Sequence, residues 1–414
     1  CEMCIRDSTQ AQFDASQFTI DVSDQGLDNG TILPNHFGLF VGGAPSDPTT
    51  PNNSRVVYNK QEGSAGTADL TGCGGIGHGG WVSHVAAGNT ASVPRSYPHG
   101  DGSFYYGVGA APFSRLGNSV YFTTSGGFTS PNFPNSFSRA YSNLGTNTWG
   151  ARVSNHSWGS NPGSGAYNAN SQTFDALVRD AQPAGSTFPA AGNQPMVVVV
   201  AAGNSGPGAT TVGAPGTAKN VFTAGGSQNV RPGIADAVSA DNMYSASGRG
   251  PNTDGRVKPD ILAPATNVAG GVVMNDRLTT APGNWNTCYT GGFLPTSPEQ
   301  QRYYRTGNGT SFASPNVAGA SALVRQWFIN NGGRVNLERA FDNTPRALRD
   351  QLPADRFTGS GQVRVFRGSV QDTGRPFRVT VAWSDAPGST TGNAYVNTLD
   401  LSVTVGGQNY TGNV

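Results

Sequence analysis

The run from Asn308 to Gly319, NGTSFASPNVAG, sets a serine, Ser311, where a turn gives way to a helix. Behind it Val317, Ala318, Ala320, Leu323, Val324, Trp327 and Phe328 recur at roughly helical spacing. Pro315 falls in the first turn, where a missing N–H costs little. A hydroxyl at a helix start faces unpaired backbone N–H groups and the positive end of the dipole, which favour a developing anion. Gly307 and Gly309 allow a close approach of the chain just before it. An ordinary capping serine fits the same place, so any chemistry here needs partners from elsewhere.

Three segments offer such partners. Gly77 to Gly88 reads GHGGWVSHVAAG, with His78 at the edge of a small, apolar run that predicts a buried helix. An imidazole at that edge can take a proton from a serine and return it to a leaving amine near neutral pH. His84 lies inside the run and is expected to be packed. Phe18 to Ser23, FTIDVS, predicts a strand that ends at Asp24-Gln25-Gly26. Asp24 is placed to orient an imidazole, with Asp28 as an alternative carboxylate; strand-ending turns use aspartate just as readily. Met196 to Ala202, MVVVVAA, predicts a strand buried on both faces, followed by Gly203-Asn204-Ser205-Gly206. The Asn204 amide can donate to an oxyanion there, or simply make a turn.

These residues need a frame. Strand-like runs at 18–23, 119–123, 151–155, 197–202 and 220–224 alternate with helical or loop segments, the pattern of an α/β parallel sheet. Residues 174–183 fit a crossover helix ahead of the central strand. Loops 89–111 and 126–150, and an insertion at 268–306 carrying Trp285 and Cys288, are expected at a cleft rim. From about 360 the apolar residues alternate, predicting strands at 362–366, 377–383 and 399–405.

Together the serine, histidine, aspartate and asparagine blocks resemble the subtilisin-like serine proteases, the subtilases, over residues 18 to about 330. The chain order Asp24, His78, Ser311 is also theirs, unlike the chymotrypsin and α/β-hydrolase orders. DQG stands where DTG or DSG is usual, Gly80 replaces a threonine and Trp81 the family's second histidine. Asn155 to Gly159, NHSWG, resembles the strand end that pairs with substrate, which implies binding by Ser157, Trp158 and Gly159, with Ala202 and Gly203 opposite. Gly213 to Val221 and Ser247 to Pro264 (SGRGPNTDGRVKPDILAP), with WSDAPGST and NTLDLSV near the C-terminus, are similar to the branch carrying a C-terminal β-sandwich, including oxidatively stable alkaline proteases. The resemblance implies a doubly wound parallel sheet with helices on both faces, then a partial antiparallel, jelly-roll-like sandwich. It divides the chain into a non-native leader at 1–8, whose MCIRDS matches a sequencing-adapter translation, a catalytic domain at 9–345 and a truncated β domain at 346–414. Gly332 to Phe341 resembles a segment that usually follows a further helix, so lowered stability is expected.

Only 12% of the 414 residues are charged, against about 25% in an average globular protein. The net charge of +1 gives no reason to expect nucleic acid, and no apolar run approaches the ~18 residues of a membrane helix. Lys60, Lys219 and Lys258 are the only lysines; the other 23 of 26 basic residues are arginines. With Cys1 and Cys4 set in the leader, Cys73 and Cys288 remain as the candidate disulfide, worth roughly 5 kcal/mol at most. Asp385, Asn397 and Asp400 could hold a structural calcium, or cap turns and strands. The expectation is a secreted serine endopeptidase acting on polypeptides, monomeric after propeptide removal, with no cofactor in its chemistry. A catalytically silent binding module and an esterase are the alternatives; no G-x-S-x-G elbow supports the latter.

Overall fold

The computed structural model describes residues 9–44, 46–63, 70–73, 77–90, 107–123, 125–143, 149–230, 237–274, 303–330, 349, 352–370, 372–374 and 376–412. The leader at 1–8, Cys288 and the 332–341 segment lie outside them.

Seven parallel strands form the frame: β1 (Thr19–Asp24), β2 (Val56–Gln61), β3 (Arg115–Val120), β4 (Ala151–His156), β5 (Val197–Ala201), β6 (Phe222–Ser227) and β7 (Ile261–Pro264). Their order is β2-β3-β1-β4-β5-β6-β7, so β1, which starts the sheet in sequence, lies inside it. Helices α1 (Gln10–Ser16), α2 (His78–Ala87), α3 (Phe133–Ser142), α4 (Ala169–Arg179) and α5 (Thr310–Asn330) cover both faces. Val199 joins the core with α2 and α5, while Val198 and Val200 join the core with α3 and α4. That alternation within one apolar run is why β5 reads as buried throughout. A small antiparallel pair, β8 (Val268–Gly271) and β9 (Tyr304–Gly307), leads into α5.

The expected strand at 119–123 instead runs from Arg115 to Val120. Its polar residues are buried because each finds a partner: Arg115 pairs with Asp14, Asn118 donates to Asn59, and Ser119 donates to Asp21. The crossover helix starts earlier than expected because Asn168 caps it, accepting from Asn170 N and Ser171 N. Beyond α5 the described chain holds one hairpin, β10 (Ser402–Val405) with β11 (Gln408–Thr411). The alternating stretches at 362–366 and 377–383 form no strand ladder there. Val363, Phe377 and Trp383 are 74%, 57% and 45% exposed, so among the described residues no opposing layer covers their apolar side chains.

Helices α2 and α5 touch at Gly319, where an added Cβ would lie 2.6 Å from Ala110 Cβ and 2.7 Å from the Ala86 carbonyl. Side-chain bulk at this point must push the serine helix away from the histidine helix. Gly319→Val should therefore cost at least about 1–3 kcal/mol, read as a fall in denaturation midpoint; an unchanged midpoint would contradict this packing.

Candidate active site

The site lies at the C-terminal ends of β1, β4 and β5, where the starts of α2 and α5 meet them, the usual crevice of an open parallel sheet. Asp24 ends β1 and is buried, and its Oδ1 accepts from His78 Nδ1 at 2.8 Å and from Gln25 N at 2.7 Å. His78 opens α2 after Gly77, whose φ of 68° turns the chain into the helix. Gln25 Oε1 accepts the His78 backbone N–H at 3.1 Å, so the glutamine of DQG caps the histidine helix. Gly79 is fixed by the same approach: its Cβ would stand 2.2 Å from the Gln25 carbonyl.

Burial pushes the His78 imidazole towards its neutral form, and the positive charge of Arg305 acts the same way. The Asp24 carboxylate, by charge and hydrogen bond, outweighs both and raises the pKa above the ordinary 6.5. Asp28, the alternative carboxylate, faces elsewhere. It is buried and accepts from the backbone N–H groups of Asn35, His36 and Met274, and burial raises its pKa to about 6. His84 is packed as expected, its Nδ1 against the Gly80 carbonyl and its Nε2 against His36.

Ser311 is the second residue of α5, and its hydroxyl donates to the Ser157 carbonyl at 3.0 Å. Its own carbonyl would ordinarily accept from residue 315, but Pro315, which lies inside the helix and not in its first turn as expected, has no N–H. Ser157 Oγ fills that gap at 2.8 Å and also meets Ser314 Oγ at 2.8 Å. The end of β4 and the start of α5 are thus tied in both directions. Phe312 bridges to the other side, its ring centroid 5.9 Å from His78 and 4.4 Å from Trp81.

Asn204 follows β5 and is solvent-exposed. Its Oδ1 accepts from Thr310 N at 2.9 Å and Thr310 Oγ1 at 3.1 Å, which turns Nδ2 outward. A Cβ built on Gly309, whose φ is 154°, would lie 3.6 Å from Asn204 Nδ2 and 3.7 Å from Ser311 N. Asn204 Nδ2 and Ser311 N, with Asn204 Oδ1 at 3.9 Å, thus border one small space that glycine leaves open. Gly203, with a φ of 91°, makes the turn after Ala202 and donates to Thr310 Oγ1 at 3.1 Å. Gly159 passes close to Ala214, whose carbonyl would lie 3.1 Å from an added Cβ. Trp158 packs into an aromatic cluster, stacked on Phe133 with centroids 5.9 Å apart and beside Phe122 and Phe128.

Trp81 is buried against β8 and β9. A Cβ on Gly270 would stand 1.9 Å from its ring, and Arg305 lies 4.2 Å over it. These neighbours explain how an indole fits where a smaller ring is usual. Thr310, Gln25 and Phe312 are not marked as site residues by the sequence, because each reaches the candidate residues only through folded contacts. Only the adjacency of Thr310 to Ser311 hints at its part.

The subtilase family pattern matches residues 15–361. The chain belongs to the subtilase family. It is 35% identical over 152 residues to the serine protease AprX of Bacillus subtilis (strain 168), covering 37% of this chain and 29% of AprX. It is also 35% identical over 182 residues to tripeptidyl-peptidase 2 of Arabidopsis thaliana, covering 41% and 11% respectively. The chain thus spans under a third of the length of these curated relatives. The solved structure of the prenylagaramide maturation protease PagA matches with a TM-score of 0.45 at 16% identity, covering 78% of this chain and 80% of that one.

Cys73 of the subtilase domain is disulfide-bonded. Asp385, a candidate calcium ligand, meets the Lys219 ammonium at 2.7 Å. Among the described residues no group of three or more His, Cys, Asp or Glu gathers as a metal cluster would.

The pair Asp24–His78 carries a sign that can be measured. A raised imidazole pKa means that the charged pair stabilises the fold fully below about 6.5 and that this contribution fades as pH rises through the raised value. Asp24→Asn removes the charge while burial remains, so the His78 ring signal in an NMR titration should move from above 6.5 to below it. An unchanged midpoint would contradict the coupling.

Proposed function

We propose that this chain is a secreted serine endopeptidase. The reading rests chiefly on one observation: the Asp24–His78 pair stands beside the helix start that bears Ser311. A polypeptide would lie extended along Ser157, Trp158 and Gly159, with Ala202 and Gly203 across from it. Ser311 Oγ turns from the Ser157 carbonyl, gives its proton to His78 Nε2 and bonds to the scissile carbonyl carbon. Asn204 Nδ2 and the Ser311 N–H hold the oxygen as it becomes negative. His78 then delivers the proton to the departing amine, breaking the C–N bond, while Asp24 stabilises the imidazolium. Water repeats the sequence on the acyl-enzyme and frees Ser311. No step calls on a metal or organic cofactor.

The disulfide at Cys73 supports an oxidising, extracellular setting. Helix-start geometry supports acyl transfer over a purely binding role, because the space at Gly309 is bordered by polar atoms, Asn204 Nδ2 and the Ser311 N–H among them, and not by apolar side chains.

A fluorophosphonate probe should label Ser311, and casein should be cleaved. Ser311→Ala should abolish both. Asn204→Ala should lower kcat about 10²–10³-fold, the size found for such a donor in subtilisin, with a smaller change in KM. Labelling with ester but no casein cleavage would point to an esterase; neither labelling nor cleavage would point to a binding module.

A further inference from the structure

Lys219 lies on the segment that follows the cleft, and its side chain is only 7% exposed. An ammonium has three N–H donors, and all three go to one stretch of the C-terminal chain: Asp385 Oδ2 at 2.7 Å, the Ala394 carbonyl at 2.7 Å, and the Ala386 carbonyl. The catalytic layer supplies Asp175, 4.0 Å away, and the Tyr167 ring, whose centroid lies 6.0 Å from the ammonium. Asp385 is buried and itself held by Val396 N, Asn397 N and Asn397 Nδ2. Its backbone exchanges two hydrogen bonds with the Asn220 side chain, at 2.9 and 2.8 Å. Gln172 Nε2 donates to the Gly388 carbonyl, and Gly388 N donates to Tyr167 Oη.

The other end of this segment reaches the cleft. Ser160 N donates to the Ala214 carbonyl at 2.7 Å, and Gly213 N to the Ala202 carbonyl at 3.1 Å. Thr217 bonds to Ala166 and Ser171 between them. With the C-terminal stretch in place all three ammonium donors are paired, so the charge is buried without an unmet donor.

We propose that residues 385–397 are an internal docking segment that closes over Lys219 and thereby braces the cleft wall at 213–221. The surface it fits is specific in chemistry: one carboxylate and two carbonyls around an ammonium, with a paired amide at Asn220. Burial alone would raise the Asp385 carboxyl, but Lys219 and the donors of Val396 and Asn397 bring it down to about 2.

The bracing half rests on the peptidase reading, whereas the docking half does not. The test uses the full chain carrying Asp385→Asn, and separately Lys219→Met. Each should lower Tm by about 5 °C or more and speed clipping by an added protease between 349 and 385. Each should also raise KM several-fold for a peptide substrate with kcat within about twofold. Gln172→Ala, a milder change, should move Tm in the same direction if Lys219→Met fails to fold. An unchanged Tm and clipping rate in Asp385→Asn would overturn docking altogether. A lowered Tm with unchanged KM would overturn the bracing of the cleft. A fully inactive wild-type chain would fail the peptidase reading and leave the Tm and clipping comparison to decide docking.

Discussion

The contact between α2 and α5 fixes the distance between an imidazole and a hydroxyl that are far apart along the chain. Both helices begin at the sheet's C-terminal edge and pack on the same face of it. Because Gly319 adds no side-chain bulk between them, their starts can stand side by side with Phe312 wedged against His78 and Trp81. Interiors pack too densely for such a spacing to vary freely. What the helices present at their ends follows from that spacing.

Each proposed catalytic group is then oriented by a neighbour that satisfies an orphaned backbone or side-chain atom. Pro315 leaves the Ser311 carbonyl without its helical donor, and Ser157 supplies one. Thr310 uses the Asn204 carbonyl oxygen, so the amide nitrogen turns towards the space at Gly309. Gln25 caps the start of α2 while Asp24 holds the ring of His78. In each case a free helix end or strand end becomes the means of aiming a side chain.

Much of this was legible in the residues themselves. The proposed catalytic residues sit at strand and helix ends marked by glycine, and β5 declares itself as a run of four valines. The bounds of β3 were not legible, because a strand holding Arg115, Asn118 and Ser119 has no apolar signature; its polar groups are paid for by partners distant in sequence. Nor was the environment of Lys219 visible, since nothing local marks a lysine whose acceptors lie in the C-terminal segment. Conversely, the alternation at 362–366 and 377–383 looks like strand, yet alternation becomes strand only where another strand pairs with it. Patterns report local preference well and long-range partnership poorly.

The central claim is that the N–H groups of Asn204 and Ser311 and the imidazole of His78 surround one reacting carbonyl. A crystal structure of the phosphonylated protein tests it directly. The phosphoryl oxygen should sit about 2.7–3.1 Å from both Asn204 Nδ2 and Ser311 N, with His78 Nε2 facing the bound Oγ. An adduct oxygen turned to solvent, or an imidazole out of hydrogen-bonding reach of Ser311, would contradict the account.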